Sequence, residues 1–248
     1  MELPNSVWTK TCFRPSVNRA VFARYATLKA GSVTIEDVTL ERRIGSNSMN
    51  ALVYEGSVDG KRVAVKFMPR VYRDEWDREV AVAMILSNLA LKDPSQPFPI
   101  VVGSGTTTVK IPPNFPGAAR ASQETARLDA LAEGKSRRES LLAARTAGVT
   151  ERVYARYLIS ELAKSDLASV SNPSKYREQM KCALRALHNA GYVHGDAHLG
   201  NFLLTPNDAV LIHDFGDTTK STDADARADD FAKLEEALTA YVDRTHLR

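Results

Sequence analysis

Two short polar motifs in the last third of the chain constrain its fold more than any other feature. The first is the segment HGDAHLGNFLL, which begins at His194 and gives a His, an Asp and an Asn the spacing H-x-D-x-x-x-x-N. The second is Asp214-Phe215-Gly216, which begins eighteen residues after Asp196. Short apolar runs flank both motifs, at Tyr192–Val193, Phe202–Leu204 and Val210–Ile212. Such runs are typical of short strands, so the pattern predicts two polar loops carried by strands.

The side chains in these loops suit phosphoryl transfer. A carboxylate such as that of Asp196 can orient a hydroxyl group and take its proton, and we predict it as the catalytic base. Asn201 and Asp214 offer oxygen atoms, which Mg²⁺ prefers as ligands, so both are predicted to hold the metal on a nucleotide. His194 is predicted to organise the loop by hydrogen bonding, and Gly216 permits a tight turn after the second motif.

Composition excludes several classes of protein. The chain has 248 residues, of which 44% are hydrophobic and 25% charged, as in ordinary soluble proteins. A net charge of +3 is too weak to predict a nucleic-acid partner. The longest apolar run, Val80–Leu86, is too short to span a bilayer, and the first residues lack the features of a secretory signal. We expect a soluble, cytoplasmic protein with no membrane partner.

The two cysteines add to this expectation. Cys12 and Cys182 lie far apart and lack the spacing of metal ligands. We therefore expect two reduced thiols in a reducing compartment.

The first half of the chain is predicted to form an antiparallel sheet and one long helix. Three alternating or β-branched runs read as strands, at Val38–Ile44, Ala51–Ser57 and Arg62–Met68. Asp59-Gly60 favours a hairpin between the last two, because a type I′ turn needs positive φ at both central positions. A helix over Arg73–Leu89 follows. Two further short strands are expected at Ile100–Val102 and Thr107–Ile111.

Residues 112–151 interrupt this pattern. Prolines break the chain, and two polar helices are predicted, near Glu124–Ala132 and at Arg137–Arg145. Ser136 with Glu139 forms a capping box for the second helix. Mixed charges indicate a solvated helical insertion, for which a structural role is favoured over docking. One more helix, Val17–Lys29, is expected ahead of the sheet.

The second half resumes with a strand at Val153–Leu162. A helix over Lys175–Ala190 follows, which Gly191 would end. After the two motifs, a last helix is predicted over Ala228–Val242.

Taken together, the motifs resemble those of the protein-kinase-like phosphotransferases. Val63-Ala64-Val65-Lys66 places a Lys on the third strand, and the resemblance implies that Lys66 contacts the α- and β-phosphates of ATP. In that pattern this Lys pairs with a Glu on the next helix, for which Glu79 is preferred and Glu75 is the alternative. The resemblance covers about residues 38–111 and 153–242.

The resemblance implies an α+β, bilobal protein-kinase-like fold. A small antiparallel-sheet N-lobe would span residues 38–160, including the insertion, and a reduced, mainly helical C-lobe would span 161–248. Residues 1–37 would form an N-terminal helical extension.

The same resemblance implies where ATP would bind. The phosphate-covering loop would include Ile44, Gly45, Ser46 and Ser48, with one glycine where protein kinases often carry three. Val53 and Ala64 would pack on the adenine. The backbone of the connector Glu161-Leu162-Ala163 would face the edge of the adenine.

The phosphate acceptor is open to alternatives. The Val-Ala-Val-Lys strand and the Asp-Phe-Gly motif are similar to those of protein Ser/Thr kinases, so a protein substrate is the preferred interpretation. His198 stands where such kinases usually carry a Lys, and HGDAHLGN is similar to the catalytic loops of aminoglycoside phosphotransferases. Only 32 residues follow Gly216, too few for a large peptide-docking subdomain. These features favour a small-molecule kinase as the alternative. The glycine-poor loop makes a pseudokinase scaffold the third hypothesis.

Overall fold

The computed structural model describes residues 33–44, 51–69, 73–112 and 114–246. These residues form an α+β fold with a five-stranded antiparallel sheet and five α-helices, which confirms the predicted fold class. Contacts divide the chain into two compact units. The first unit contains Val101–Leu162 and the described residues before Ala81, and the second contains Ala81–Ile100 and the described residues from Ala163 onward. The helix predicted at 17–29 lies outside the described residues, and the predicted lobe boundaries stay predictions.

The first unit is built on the five-stranded sheet. Its strands are β1 (Thr39–Ile44), β2 (Leu52–Val58), β3 (Lys61–Pro69), β4 (Val101–Lys110) and β5 (Arg152–Glu161), in the spatial order β1-β2-β3-β5-β4. Alternate side chains of β3 are buried at Val63, Val65 and Phe67, as the two-residue period of a strand requires. Asp59 and Gly60 both have positive φ, at 48° and 71°, so the predicted hairpin turn is confirmed.

The prediction of two short strands around residue 105 was wrong, because the chain forms the single strand β4 there. Gly103 and Gly105 interrupt the apolar pattern but continue the strand. A Cβ on Gly103 would collide with the carbonyl oxygen of Val33, and one on Gly105 would lie 2.6 Å from the hydroxyl of Tyr157. Here glycine marks a close approach of neighbouring groups and not the end of a strand.

Helix α1 (Arg73–Lys92) follows β3 and extends three residues beyond its predicted end at Leu89. The insertion contains α2 (Ala118–Ala132) and α3 (Arg137–Thr146). The predicted capping box of α3 is present, since the Ser136 N–H donates to Glu139 Oε2 at 2.8 Å. Helix α2 begins six residues earlier than predicted, directly after Gly117, whose φ is 80°.

Among the described residues, the second unit contains the part of α1 from Ala81 onward and two further α-helices, α4 (Arg177–Asn189) and α5 (Ala224–His246). Its strands are β6 (Ser165–Asp166), β7 (Tyr192–Val193), β8 (Phe202–Leu204), β9 (Val210–Ile212) and β10 (Thr219–Lys220). These form a three-stranded sheet, β6-β8-β9, and a pair, β10-β7. Helix α4 buries Met180, Leu184 and Leu187 fully. Strands β7, β8 and β9 agree with the prediction, and β10 was not predicted.

Cys182 lies buried on α4 and is disulfide-bonded, which contradicts the expected reduced thiol at this position. Sequence spacing can exclude a metal-binding motif, but it carries no information about which distant cysteines meet in space. Cys12 lies outside the described residues. The predicted reducing compartment therefore loses the support of two free thiols. In the described part of the chain, no helix has the length and apolar character needed to cross a membrane.

Candidate active site

The loop between β7 and β8 carries His194, Asp196 and Asn201. It turns sharply at Gly195, whose φ is 82°. A Cβ at Gly195 would also lie 2.8 Å from the carbonyl oxygen of Asp217. Only glycine can adopt this φ and fit beside the Asp217 carbonyl without strain. The turn at Gly195 therefore sets the direction of the backbone at Asp196.

A buried carboxylate on α5 anchors this loop. Asp230 is 0% exposed, and its Oδ2 accepts the backbone N–H of His194 at 2.8 Å. Its Oδ1 accepts the N–H of Gly195 at 2.9 Å. The Nε2–H of His188, on α4, also donates to Oδ2 at 2.8 Å. Three donors from two segments therefore hold one carboxylate, which fixes the start of the loop on the helical core.

The charge of Asp230 is stabilised where it lies. Burial alone would raise the pKa of this carboxyl, but the hydrogen bonds from His188, His194 and Gly195 outweigh burial and lower the pKa below its ordinary value. The carboxylate stays ionised at neutral pH, so all three hydrogen bonds have a charged acceptor.

His194 is buried and serves as a connector between the two motifs. Its Nε2–H donates to the carbonyl of His213 at 3.0 Å, and its Nδ1 accepts the N–H of Asp196 at 3.3 Å. Burial lowers its pKa, although the His213 carbonyl and nearby carboxylates favour the charged form. Both ring nitrogens therefore hold backbone groups of the two motifs.

Asp196 and Asn201 contact each other. The amide Nδ2 of Asn201 donates to the backbone carbonyl of Asp196 at 2.8 Å and to its Oδ2 at 3.1 Å. Asn201 is buried, whereas the Asp196 side chain is 51% exposed. Because the amide nitrogen faces Asp196, Oδ1 is the atom of Asn201 that can serve as a metal ligand.

His198 approaches the same carboxylate from the solvent side. Its Nε2 lies 3.3 Å from Asp196 Oδ2, and its Nδ1 accepts the backbone N–H of Gly200 at 3.0 Å. The bond from Gly200 keeps the ring proton on Nε2, where it points at Asp196. Two donors, Asn201 Nδ2 and His198 Nε2, therefore converge on one carboxylate oxygen and set the orientation of the carboxylate.

The second motif is held against the first. The His213 N–H donates to the carbonyl of Asn201 at 3.0 Å, and the His213 ring contacts the carbonyl of Gly200 at 3.0 Å. Asp214 follows, and its φ of 63° is a left-handed conformation that is uncommon outside glycine. Its side chain therefore leaves the backbone in a different direction from that of a residue in an extended strand.

The predicted metal ligands fit Mg²⁺ by their chemistry. Asn201 and Asp214 supply oxygen atoms only. The described residues contain no group of three or more His, Cys, Asp and Glu side chains placed to hold a metal. Mg²⁺ is commonly bound by one or two protein ligands together with nucleotide phosphates and water. Two oxygen-bearing side chains therefore suit a metal that arrives with ATP better than a resident structural metal.

In the first unit, Lys66 and Glu79 form a short ion pair, with Lys66 Nζ 2.7 Å from Glu79 Oε1. Glu79 is 5% exposed on α1, and the Lys66 side chain is 18% exposed. The side chain of Glu75, the alternative partner, lies outside the described side chains. A Lys that is drawn inward by a buried carboxylate differs from the solvent-facing Lys that is usual on a strand.

The strand register gathers the other predicted nucleotide residues of this unit. Ile44 lies opposite Val53, and Val53 lies opposite Lys66. Ala64 precedes Lys66 by two positions, so all four side chains share one face of the sheet. Glu161 ends β5 and Leu162 follows it, whereas Ala163 belongs to the second unit. Gly45, Ser46 and Ser48 lie outside the described residues.

Sequence reasoning missed three residues that hold the catalytic loop. These are His188 and Asp230, described above, and Lys233, whose Nζ donates to the Gly195 carbonyl at 2.7 Å. Asp229-Asp230-Phe231 stands out in the sequence as an acidic pair within the last helix. Nothing in its spacing identifies the loop 36 residues earlier as its partner.

A family model described as lipopolysaccharide core biosynthesis protein (WaaY) matches residues 150–243. The matched segment includes the loop with Asp196 and Asn201, the Asp214 motif and Asp230. It spans about two fifths of the chain. No curated protein matches the chain. The match supports a kinase-like transferase.

Proposed function

We propose that this protein is an ATP-dependent kinase that transfers the γ-phosphate of ATP to a hydroxyl group on a sugar of a lipopolysaccharide core. One observation carries the proposal. The Asp196 carboxylate is oriented by Asn201, with 3.1 Å between Oδ2 and Nδ2, inside the segment that is similar to a family of lipopolysaccharide core biosynthesis proteins. A carboxylate oriented in this way suits the activation of a hydroxyl acceptor.

The proposed reaction forms one P–O bond and breaks another. The acceptor oxygen attacks the γ-phosphorus, the bond between that phosphorus and the β-phosphate oxygen breaks, and ADP leaves. The proton of the acceptor hydroxyl passes to Asp196 Oδ, which Asn201 Nδ2 and His198 Nε2 keep in position. The role of Lys66 is to contact the α- and β-phosphates, and Glu79 orients the Lys66 ammonium.

Magnesium, when bound through Asn201 and Asp214, would neutralise charge on the β- and γ-phosphate oxygens. The left-handed conformation of Asp214 and the contact of Asn201 with Asp196 support these two residues as the ligands.

A sugar acceptor is favoured over a protein by the family match and by the site. The matched family takes its description from the synthesis of a saccharide. His198 also stands where protein Ser/Thr kinases usually carry a Lys. A Ser/Thr protein acceptor is the second candidate, favoured by the Lys66–Glu79 pair and the Asp-Phe-Gly motif. A pseudokinase scaffold, the third hypothesis, does not need this set of residues.

The test supplies purified protein with Mg²⁺ and γ-labelled ATP. Parallel reactions contain a deacylated lipopolysaccharide core oligosaccharide, the intact glycolipid, a generic basic protein, or no acceptor. We expect label on the saccharide in the first two reactions. Asp196→Asn should lower the transfer rate by about a thousandfold or more, because it removes the proton acceptor but keeps the shape of the side chain.

Asp225→Asn is the matched control, since Asp225 is an exposed carboxylate in the first turn of α5. Label on the basic protein alone would replace the sugar acceptor with a protein acceptor. Absence of both transfer and ATP binding would favour the scaffold.

A further inference from the structure

The helical insertion concentrates exposed apolar side chains. Among the described residues, six large apolar side chains are exposed, and four of them lie between positions 131 and 149. These are Leu131 (39% exposed), Leu141 (47%), Leu142 (61%) and Val149 (63%). The other two, Leu40 and Ile85, lie on separate elements. Apolar exposure that is clustered in this way marks an interaction surface more often than scattered exposure does.

The two most central of these side chains share a helix face with arginines. At 100° per residue, α3 places Arg137, Leu141, Arg145, Arg138 and Leu142 on one continuous arc of about 140°. All five are exposed, whereas Ser140 on the opposite side is buried. We call this arc the arginine–leucine face. It contains three cationic and two apolar side chains and no acidic one.

The charge of this face is not neutralised within the described part of the chain. No ion pair there involves Arg137, Arg138 or Arg145. The one carboxylate on α3, that of Glu139, is bonded to the N–H and the hydroxyl of Ser136, at 2.8 and 2.6 Å. The capping box thus holds the acidic side chain at the helix start, and the three guanidinium groups face solvent.

We propose that the arginine–leucine face binds the surface of an anionic membrane. Helices that lie in a membrane interface combine basic side chains, which contact phosphate headgroups, with leucines that enter the acyl boundary. Long arginine side chains can reach headgroups while their apolar stems lie beside the leucines. Here the two leucines are interspersed among the three arginines. A helix that fills a protein groove usually presents an unbroken apolar stripe at i, i+3, i+4 and i+7, and α3 lacks one.

This surface goes beyond the proposed catalytic function and does not depend on it. It also departs from the expectation of no membrane partner, which rested on the absence of a spanning segment and of a secretory signal. A net charge averages over the chain, whereas binding at an interface depends on how charges and apolar groups are distributed on one face.

The experiment is cosedimentation of the full-length chain with vesicles, without ATP. Vesicles of phosphatidylethanolamine with phosphatidylglycerol are compared with vesicles of phosphatidylcholine alone. The wild type should bind only the anionic vesicles. Each Arg→Gln change at 137, 138 and 145 should lower the partition coefficient by about fivefold, and the triple variant by about a hundredfold. Leu141→Ser with Leu142→Ser should lower it by about tenfold.

A matched triple variant removes the same charge elsewhere. Lys92→Gln, Arg152→Gln and Lys220→Gln are exposed positions outside α3, and together they should lower binding by less than about fivefold. An equal loss in both triple variants would overturn the proposal, because binding would then follow net charge alone. Equal binding to phosphatidylcholine, or no binding at all, would also overturn it. Retention on immobilised polyglutamate without vesicle binding would replace the membrane with an acidic protein partner.

Depth gives an independent readout. Leu142→Trp should show blue-shifted emission with anionic vesicles, because its ring enters the acyl boundary. Leu40→Trp, at a comparably exposed position on β1, should show no shift. Equal shifts in both variants would contradict a specific face. Since neither readout uses phosphoryl transfer, failure of the membrane proposal and failure of the kinase proposal are distinguishable.

Discussion

Asp230 shows how a single side chain sets the geometry of the loop that carries Asp196. Its carboxylate is fully buried, and it accepts hydrogen bonds from His188, His194 and Gly195 at 2.8 to 2.9 Å. A buried ionised carboxylate is costly unless its lone pairs are satisfied, and these donors satisfy it from two segments of the chain. Displacement of any one donor leaves a buried charge short of a partner, so the loop has one strongly preferred position.

Asp230→Asn should destabilise the protein by about 3 kcal/mol at neutral pH, because an amide NH₂ would face a backbone N–H and the charged acceptor is lost. The native pKa of Asp230 lies below the ordinary value of 3.8, so its carboxylate stabilises the fold above about pH 4. This stability is lost as pH falls through the native pKa. Urea denaturation of wild type and variant should therefore show a difference that shrinks below about pH 4.

Asp229→Asn is the control for that experiment. Asp229 is 59% exposed and pairs with Lys233 at 2.8 Å. An exposed pair of this kind contributes less than about 1 kcal/mol. Equal losses in the free energy of unfolding for both variants would mean that the buried hydrogen bonds of Asp230 do not stabilise the fold.

Gly195→Ala tests the turn that directs Asp196. The new Cβ would require a residue with φ at 82° and would lie 2.8 Å from the Asp217 carbonyl oxygen. Gly134→Ala carries the same penalty for positive φ, at 80°, but its Cβ would meet no atom within 4 Å. We expect a loss of about 1 kcal/mol at Gly134 and of about 3 kcal/mol at Gly195, measured by urea denaturation.

The two glycine variants should also differ in catalysis. A shift of the loop at Gly195 should lower kcat by about a hundredfold, and Gly134→Ala should leave it unchanged. If both variants lost similar amounts of stability and kcat, the contact with Asp217 would not be the cause of the losses at Gly195.

Glu79→Gln tests the ion pair in the first unit. The amide keeps the shape of the side chain but withdraws the charge that lies 2.7 Å from Lys66 Nζ. We expect kcat/KM for ATP to fall by about tenfold to a hundredfold, since a charge-assisted bond that orients the ammonium is lost. The control is Asp77→Asn on the same helix, which breaks the Arg156 pair at 2.6 Å. An unchanged kcat/KM in Glu79→Gln would exclude the pair from nucleotide binding.

At the scale of elements, the insertion is tied to β5 and to the residues just before it through serine and threonine hydroxyls. Ser122 Oγ donates to the Ala118 carbonyl at 2.9 Å and accepts the Thr150 N–H at 2.9 Å. Thr125 Oγ1 accepts the N–H of Tyr154 at 3.0 Å. These bonds give α2 a defined attachment to the strand that follows the insertion, and polar helix residues therefore serve as internal contacts.

Ser122→Ala should destabilise the protein by about 1 to 2 kcal/mol, because the Thr150 N–H loses its acceptor at a partly buried position. Ser140→Ala is the matched change on α3. Ser140 is also buried, but its hydroxyl only donates to the Arg137 carbonyl, so no backbone donor loses its partner. We expect a loss below about 1 kcal/mol there, by thermal or urea denaturation. A larger loss at Ser140 would show that the Thr150 bond is not what matters.

Elements with many local signals were predictable, and those that depend on distant partners were not. Alternation and the Asp59-Gly60 turn identify β2 and β3 within a residue or two. By contrast, β4 is continuous through Gly103 and Gly105 because Val33 and Tyr157 fill the space beside them. Strand β10 has only two residues, Thr219 and Lys220, and it exists through its pairing with β7 and carries no pattern of its own.

For the whole molecule, sequence patterns point to the residues proposed to carry chemistry more readily than to those that position them. Asp196, Asn201 and Asp214 stand in recognisable motifs, and the structure brings the first two within hydrogen-bond distance. Their loop is held by Asp230, which lies 36 residues after His194 in the chain. Asp230 is held in turn by His188, which lies 42 residues before it. A buried Asp or His has no local pattern, because its environment is created by folding.

Nucleotide binding offers a test of how the whole molecule divides its roles. A ligand that binds only the folded state at about a hundred times its Kd stabilises that state by about 2.7 kcal/mol. Mg²⁺ with ATP should raise the unfolding temperature of the wild type, and EDTA should remove most of that increase.

Asp214→Asn should abolish the Mg²⁺-dependent part of the increase, because it removes a proposed charged ligand of the metal. Asp196→Asn should keep the full increase while it abolishes transfer, since its proposed partner is the acceptor hydroxyl. Both variants should unfold like the wild type without nucleotide. If Asp196→Asn lost the increase as completely as Asp214→Asn does, Asp196 would belong to the nucleotide site and the base would have to be sought elsewhere.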